Sequence, residues 1–88
     1  MQYSALGQTG VQISEICLGT MTFGEQCDLA QSHRILDRAL EHGINFLDAA
    51  ELYPSPMRAD TCGRTEQYIG EWLADRGGRD KLVIATKV

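Results

Sequence analysis

The chain has 88 residues, 43% of them hydrophobic, and a formal net charge of −4. This composition allows one small core and excludes a disordered polyelectrolyte. The acidic balance, without a block of like charge, argues against nucleic acid or an anionic membrane as the main partner. No apolar run nears the roughly 18 residues of a membrane span. Met1-Gln2-Tyr3-Ser4 lacks the basic and apolar regions of a signal peptide, so a cytoplasmic protein is expected.

Gln2 to Ser14 reads as a β-hairpin. Tyr3 and Leu6 precede the turn-rich Gly7-Gln8-Thr9-Gly10, and Val11 and Ile13 alternate with polar residues after it. The alternation predicts one face resting on something apolar. Ile16-Cys17-Leu18 is short, apolar and non-alternating, as in a strand buried on both faces, and Gly19 ends it. Cys17 is accordingly expected to be a buried small hydrophobe. The three cysteines, Cys17, Cys27 and Cys62, form no C-x-x-C pair, which disfavours a disulfide framework or a zinc site. Thr20-Met21-Thr22-Phe23-Gly24 is a loop of mostly small residues, where glycine lets backbone approach a ligand.

Asp28 to Gly43 reads as the first long helix, with Asp28 as N-cap and Gly43 as the stop. Leu29, Leu36, Ala39 and Leu40 form its apolar stripe, with Ile35 at the margin. His33 and His42 take structural roles as packed or helix-end imidazoles. Ile44 to Leu47 is the second buried strand, and Asp48 stands where it leaves the core. The following loop, to Gly63, is longer than the roughly 2–6 residues of an ordinary strand-to-helix connection, and it carries Tyr53, Pro54, Pro56 and Arg58.

Thr65 to Arg76 is the second helix, capped by Thr65 and ended by Gly77-Gly78. Ile69, Trp72 and Leu73 make its apolar face, with Trp72 as the core anchor and Tyr68 beside it. Leu82-Val83-Ile84-Ala85-Thr86 is the third buried strand, followed by Lys87. Strand–helix–strand–helix–strand with non-alternating strands implies a parallel βαβαβ arrangement of α/β class.

Two strands thus end in opposite charges, Asp48 and Lys87. Adjacent parallel strands lie about 4.8 Å apart, so the two side chains can meet at one rim, with Tyr53 folded over them. An ammonium beside a phenol stabilises the phenolate and makes the phenol a better proton donor, and a carboxylate beyond it keeps the ammonium oriented. Such a phenol can protonate a carbonyl oxygen while a hydride arrives at carbon. No side chain supplies a hydride, so a nicotinamide cofactor is required. The same residues also read as a structural ion pair beside a loop aromatic.

The chain resembles the N-terminal third of an aldo-keto reductase. The resemblance rests on Leu18-Gly19-Thr20-Met21-Thr22-Phe23-Gly24, on Gly43 through Tyr53, on Gly63-Arg64-Thr65-Glu66 and on Ala85-Thr86-Lys87-Val88. Tyr53 through Arg58 and Glu66 through Leu73 look closest to the bacterial Tas-type branch. The Asp–x4–Tyr spacing with a lysine closing the third strand is the specific part. The resemblance implies the N-terminal portion of a TIM (β/α)8 barrel: a hairpin over residues 1–14, then three barrel strands and two helices over 15–88. It implies NADPH-dependent reduction of a small aldehyde or ketone. Tyr53 would be the general acid, Lys87 would assist it, and Asp48 would pair with Lys87. Gly19, Thr20 and Met21, with Asp48, would line the nicotinamide end of the cofactor. Phe23 and the loop after Tyr53 would face the substrate.

The family's catalytic histidine, at the end of the fourth strand, has no counterpart in residues 1–88, and His33 and His42 lie on a helix on the wrong side of the sheet. The phosphate- and adenosine-binding segments lie further along the family's chain. A complete barrel has about 250 residues and eight strands, so these 88 residues alone are expected to be an inactive, incomplete barrel with two open strand edges. A second reading stays open: a non-catalytic module that binds NADPH, regulates a partner as channel β subunits of this fold do, or associates with itself through those edges.

Overall fold

The structure is a computed structural model describing residues 1–88. Strands β1 (Tyr3–Ala5) and β2 (Gln12–Ser14) pair antiparallel as the expected hairpin. Strands β3 (Leu18–Gly19), β4 (Phe46–Asp48) and β5 (Val83–Ala85) form a parallel sheet in that order. Helix α1 (Leu29–Glu41) connects β3 to β4, and α2 (Arg64–Arg76) connects β4 to β5 after the long loop. The predicted βαβαβ order is therefore the one that forms. No helix is long and apolar enough to cross a membrane.

Parallel register puts paired residues on the same face of the sheet. Leu18, Leu47 and Ile84 pair in a row, as do Gly19, Asp48 and Ala85 one residue later. The first row packs with the core of Phe23, Leu36, Leu47, Ala49, Ile69, Trp72 and Leu82. Successive side chains alternate faces, so the second row, with Lys87 two residues beyond Ala85, lines the opposite face. That opposite face corrects the expectation of strands buried on both sides. Cys17, two residues before Gly19, falls on it and is exposed, and Ile16 beside it is 56% exposed. Cys17 is thus not the buried residue the apolar run suggested.

The start of α1 and the ends of both helices fall on the signals that local chemistry supplies. In α1 the Asp28 carboxylate accepts from the Gln31 amide at 2.8 Å, and the Gln31 side chain accepts from the Asp28 amide at 3.0 Å. This reciprocal pair satisfies two of the backbone donors a helix start leaves free. Gly43, just past α1, has φ +87°, a conformation side chains with a Cβ rarely adopt. A Cβ there would also lie 2.9 Å from the Tyr3 hydroxyl. Gly77 ends α2 at φ +71°.

The apolar stripe of α1 is only partly buried. Ser32, Leu36 and Ala39 face the core, whereas Leu29, Ile35 and Leu40 are exposed. Helix α2 lies along one flank of α1 and is joined to it by polar contacts. His33 Nε2 lies 3.0 Å from the Tyr68 carbonyl oxygen. Asp37 accepts from Trp72 Nε1 at 2.8 Å and from Arg76 Nε and Nη2 at 2.7 and 2.9 Å. Thr65 is not the cap of α2; Gly63 holds that position. The Thr65 hydroxyl crosses to the Phe23 carbonyl oxygen at 2.6 Å, which ties α2 to the loop after β3.

The Asp37 clasp has a pH signature. The Arg76 hydrogen bond first, and the Trp72 hydrogen bond second, hold the Asp37 carboxyl below its ordinary value of 3.8. A lowered folded value means stabilisation that is complete above the unfolded value and fades as pH falls through the folded one. Asp37→Asn should therefore lower stability at neutral pH and shrink the further loss on acidification below about pH 4. Urea midpoints at neutral and acidic pH measure both; equal midpoints for the two proteins at neutral pH would count against the clasp.

The hairpin docks by polar contacts, not by the apolar face expected of it. Tyr3, Leu6 and Val11 are exposed, and of the expected apolar residues only Ile13 is half-buried. Asn45, just before β4, accepts from the Ser14 amide at 2.7 Å and donates to the Gln12 carbonyl oxygen at 3.0 Å. Its own amide donates to Ser14 Oγ at 3.2 Å, and the Tyr3 hydroxyl donates to the Gly43 carbonyl oxygen at 2.6 Å. Ser14 is only 1% exposed, so its amide has no water to replace Asn45. Asn45→Ala should cost about 1–3 kcal/mol, the penalty of a buried donor left unpaired, and raise amide exchange throughout β1 and β2. An unchanged exchange rate at Ser14 would refute that assignment.

Candidate active site

The carboxyl ends of the parallel strands bring together the residues singled out in the sequence. Asp48 closes β4 opposite Gly19 of β3 and Ala85 of β5. The ladder continues past the strands: the Ala49 amide donates to the Ala85 carbonyl oxygen at 2.7 Å, and the Glu51 amide to that of Lys87 at 2.9 Å. This extension carries Lys87 alongside the start of the loop that holds Tyr53.

Lys87 Nζ donates to both Asp48 oxygens, at 3.0 and 2.8 Å, and sits 5.0 Å from the centre of the Tyr53 ring. The ammonium thus lies between the carboxylate and the aromatic ring. It is held above the ordinary lysine range, by Asp48 first and the Tyr53 phenol second. Among ordinary hydrogen bonds Nζ has only the two to Asp48, so the carboxylate is the dominant partner. A raised value keeps the ammonium charged throughout the neutral range, and its contribution to the pair is lost as pH rises through the folded lysine value. Asp48 and Lys87 are both partly open to solvent, so their pairing is a matter of orientation more than of stability.

Thr20 is fully buried, and its hydroxyl donates to the Asp48 carbonyl oxygen at 2.6 Å. Its side chain fixes the backbone under Asp48 and presents nothing to the rim. Gly19 leaves the rim beside Asp48 bare: a Cβ there would meet nothing within 4 Å. Met21 is 52% exposed, and its carbonyl oxygen accepts from the Ser55 amide at 2.9 Å. Phe23 departs from expectation. It is 1% exposed and belongs to the core, because the loop after β3 turns its ring inward against the helices. It presents no face to a substrate in this structure. The Cys17 thiol lies near Asp48 and Lys87 but is pushed above its ordinary value, by desolvation first and Asp48 second, which favours the unreactive protonated form.

The match to the Aldo/keto reductase family runs over residues 15–88, from just after the hairpin to the last residue. The chain belongs to the aldo/keto reductase family. Protein tas of Escherichia coli is 51% identical over 88 residues, covering all of this chain and 25% of that protein. The uncharacterized oxidoreductase YrpG of Bacillus subtilis is 47% identical, covering all of this chain and 26% of that protein. The chain therefore spans about a quarter of the length of these curated relatives. Among solved structures, an aldo-keto reductase of Bacillus halodurans in its holo form superposes with a TM-score of 0.80 at 38% identity, covering all of this chain and 26% of that one. The aldo/keto reductase fold accounts for the open sheet face: β3, β4 and β5 correspond to the N-terminal part of a barrel whose interior they line.

Several long-range roles gave no signal in the sequence. Asn45 fell within an expected strand, Thr20 was expected to line the nicotinamide end of the cofactor, and Glu25 was not singled out. Each acts on a partner 28 or more positions away, and no local pattern encodes such a pairing.

Proposed function

We propose that residues 1–88 form the proton-donating part of an NADPH-dependent reductase of small aldehydes or ketones. The observation that carries this reading is Lys87, held between the Asp48 carboxylate and the Tyr53 ring. In this reading the Tyr53 hydroxyl gives its proton to the carbonyl oxygen. The Lys87 charge stabilises the negative charge that develops on the phenol as the proton leaves. Asp48 keeps the ammonium aimed at the ring, and Thr20 keeps Asp48 in place.

The residues present fit the flat end of a nicotinamide cofactor. Gly19 leaves open space on the sheet face next to Asp48, and the exposed Met21 borders it. When bound, the cofactor supplies the hydride. Gly19, the backbone at Thr20, Met21 and Asp48 would hold the nicotinamide end, and the preference for NADPH over NADH follows the resemblance. Residues 1–88 by themselves are proposed not to turn over, since they supply no site for the rest of the cofactor.

The test is a chimera in which residues 1–88 replace the matching segment of the Bacillus halodurans enzyme. Aldehyde-dependent oxidation of NADPH is expected from the chimera and not from the 88-residue chain. A folded chimera that binds NADPH without oxidising it would favour the non-catalytic module instead.

A further inference from the structure

Tyr53 sits on the long loop between β4 and α2, whose own hydrogen bonds lie at its base and in its second half, where the Thr61 and Cys62 amides donate to the Arg58 carbonyl oxygen at 3.2 and 2.9 Å. The Gly63 amide donates to the Tyr53 carbonyl oxygen at 3.0 Å and closes the loop at its base. Tyr53 is therefore the first residue of a closed loop, and the orientation of its ring depends on what restrains the loop's far side. Arg58 stands midway, five residues from each closing position.

The restraint is the loop after β3. Gly24 provides a flat shelf: a Cβ on it would come within 2.7 Å of Arg64 Cβ and 3.4 Å of Pro54 Cγ, and its φ is +105°. Arg64 Nη1 fixes that shelf by donating to the Gly24 carbonyl oxygen at 3.2 Å. Pro54, next to Tyr53, is buried against it. Two contacts to backbone follow: the Ser55 amide to the Met21 carbonyl oxygen at 2.9 Å, and Gln26 Nε2 to the Ser55 carbonyl oxygen at 3.3 Å. One contact joins the two loops by side chains alone, the ion pair of Glu25 with Arg58. The Glu25 side chain is 24% exposed, so its charge is partly withdrawn from water and Arg58 is its ionic partner.

We infer that the Glu25–Arg58 pair positions Tyr53, by clamping the middle of its loop to the Gly24 shelf so that the ring stays over Lys87. Glu25 and Arg58 are positioning residues: they act on the phenol through the loop. The importance of this for proton transfer rests on the reading of Tyr53 given above, but the clamp itself does not.

The experiment uses the full 88-residue chain, without cofactor or substrate. Glu25→Gln and Arg58→Gln each remove one charge; Glu25→Arg with Arg58→Glu reverses the pair. Two readouts are taken by NMR. One is amide exchange at Ser55 and Gly63, with Ala49 as the reference in the strand ladder. The other is the upfield ring-current shift of the Lys87 ε-methylene protons caused by the Tyr53 ring. Each single variant should speed exchange at Ser55 and Gly63 by about two- to fivefold, the range of a partly exposed ion pair, with Ala49 unchanged. The Lys87 shift should move toward that of a free lysine, and the reversed pair should restore both readouts. Unchanged exchange and an unchanged Lys87 shift in both single variants would overturn the proposal. So would equal acceleration at Ala49, since that reports general loosening. Neither readout depends on turnover, so failure here is distinct from failure of the reductase reading, which the chimera tests.

Discussion

Tyr53→Phe in the chimera should lower aldehyde reduction by roughly a hundred- to ten-thousand-fold, the usual worth of a positioned general acid. The ring and its packing are kept, so the loss should fall on kcat and not on KM. Lys87→Met should fall into the same range by a different route. It removes the ammonium that Asp48 orients at 2.8–3.0 Å and leaves a carboxylate near the phenol. That negative charge opposes the charge developing on the phenol oxygen. Steady-state kinetics with NADPH and a simple aldehyde measure both. Retention of more than about a tenth of the activity in Tyr53→Phe would remove Tyr53 from the role of proton donor.

Trp72→Ala should cost about 3–5 kcal/mol, the range for deleting a large buried aromatic. Trp72 is 1% exposed and belongs to the shared core of the sheet and both helices. It also donates Nε1 to Asp37, so truncation breaks the clasp between α1 and α2 as well. A domain of this length has a stability of about 4–13 kcal/mol, at roughly 0.05–0.15 kcal/mol per residue. The substitution therefore takes a large share of the total and brings the chain to the edge of unfolding. Trp72→Phe keeps most of the packing and gives up the Nε1 donor, at about 1–2 kcal/mol. Urea titrations followed by far-UV circular dichroism compare the two; a similar midpoint for both variants would mean that the ring contributes little.

Much of the fold was legible from neighbouring residues. Asp28 caps α1, Gly43 and Gly77 stop the helices, and the apolar runs lie where the parallel strands form. These signals are local: a cap acts within one turn, and a glycine is required where φ is positive. The candidate site was legible for a related reason. Parallel strands end at a common edge, so a carboxylate and a lysine that follow two such strands arrive at the same place. Strand length was read less well, because short apolar runs look the same whether two or five of their residues pair.

Sequence alone determined the class of fold, the order of its elements, the aldo/keto reductase resemblance and the meeting of Asp48 with Lys87. Tertiary structure decided which faces are covered. Cys17 and Leu29 lie exposed, and Phe23 turns into the core, because burial depends on the element packed opposite and not on the hydrophobicity of the residue itself. It also decided the long-range polar contacts: Asn45 with the hairpin, Thr65 with Phe23, and Glu25 with Arg58. These pairings join segments far apart in the chain, and their geometry exists only once the strands and helices have packed.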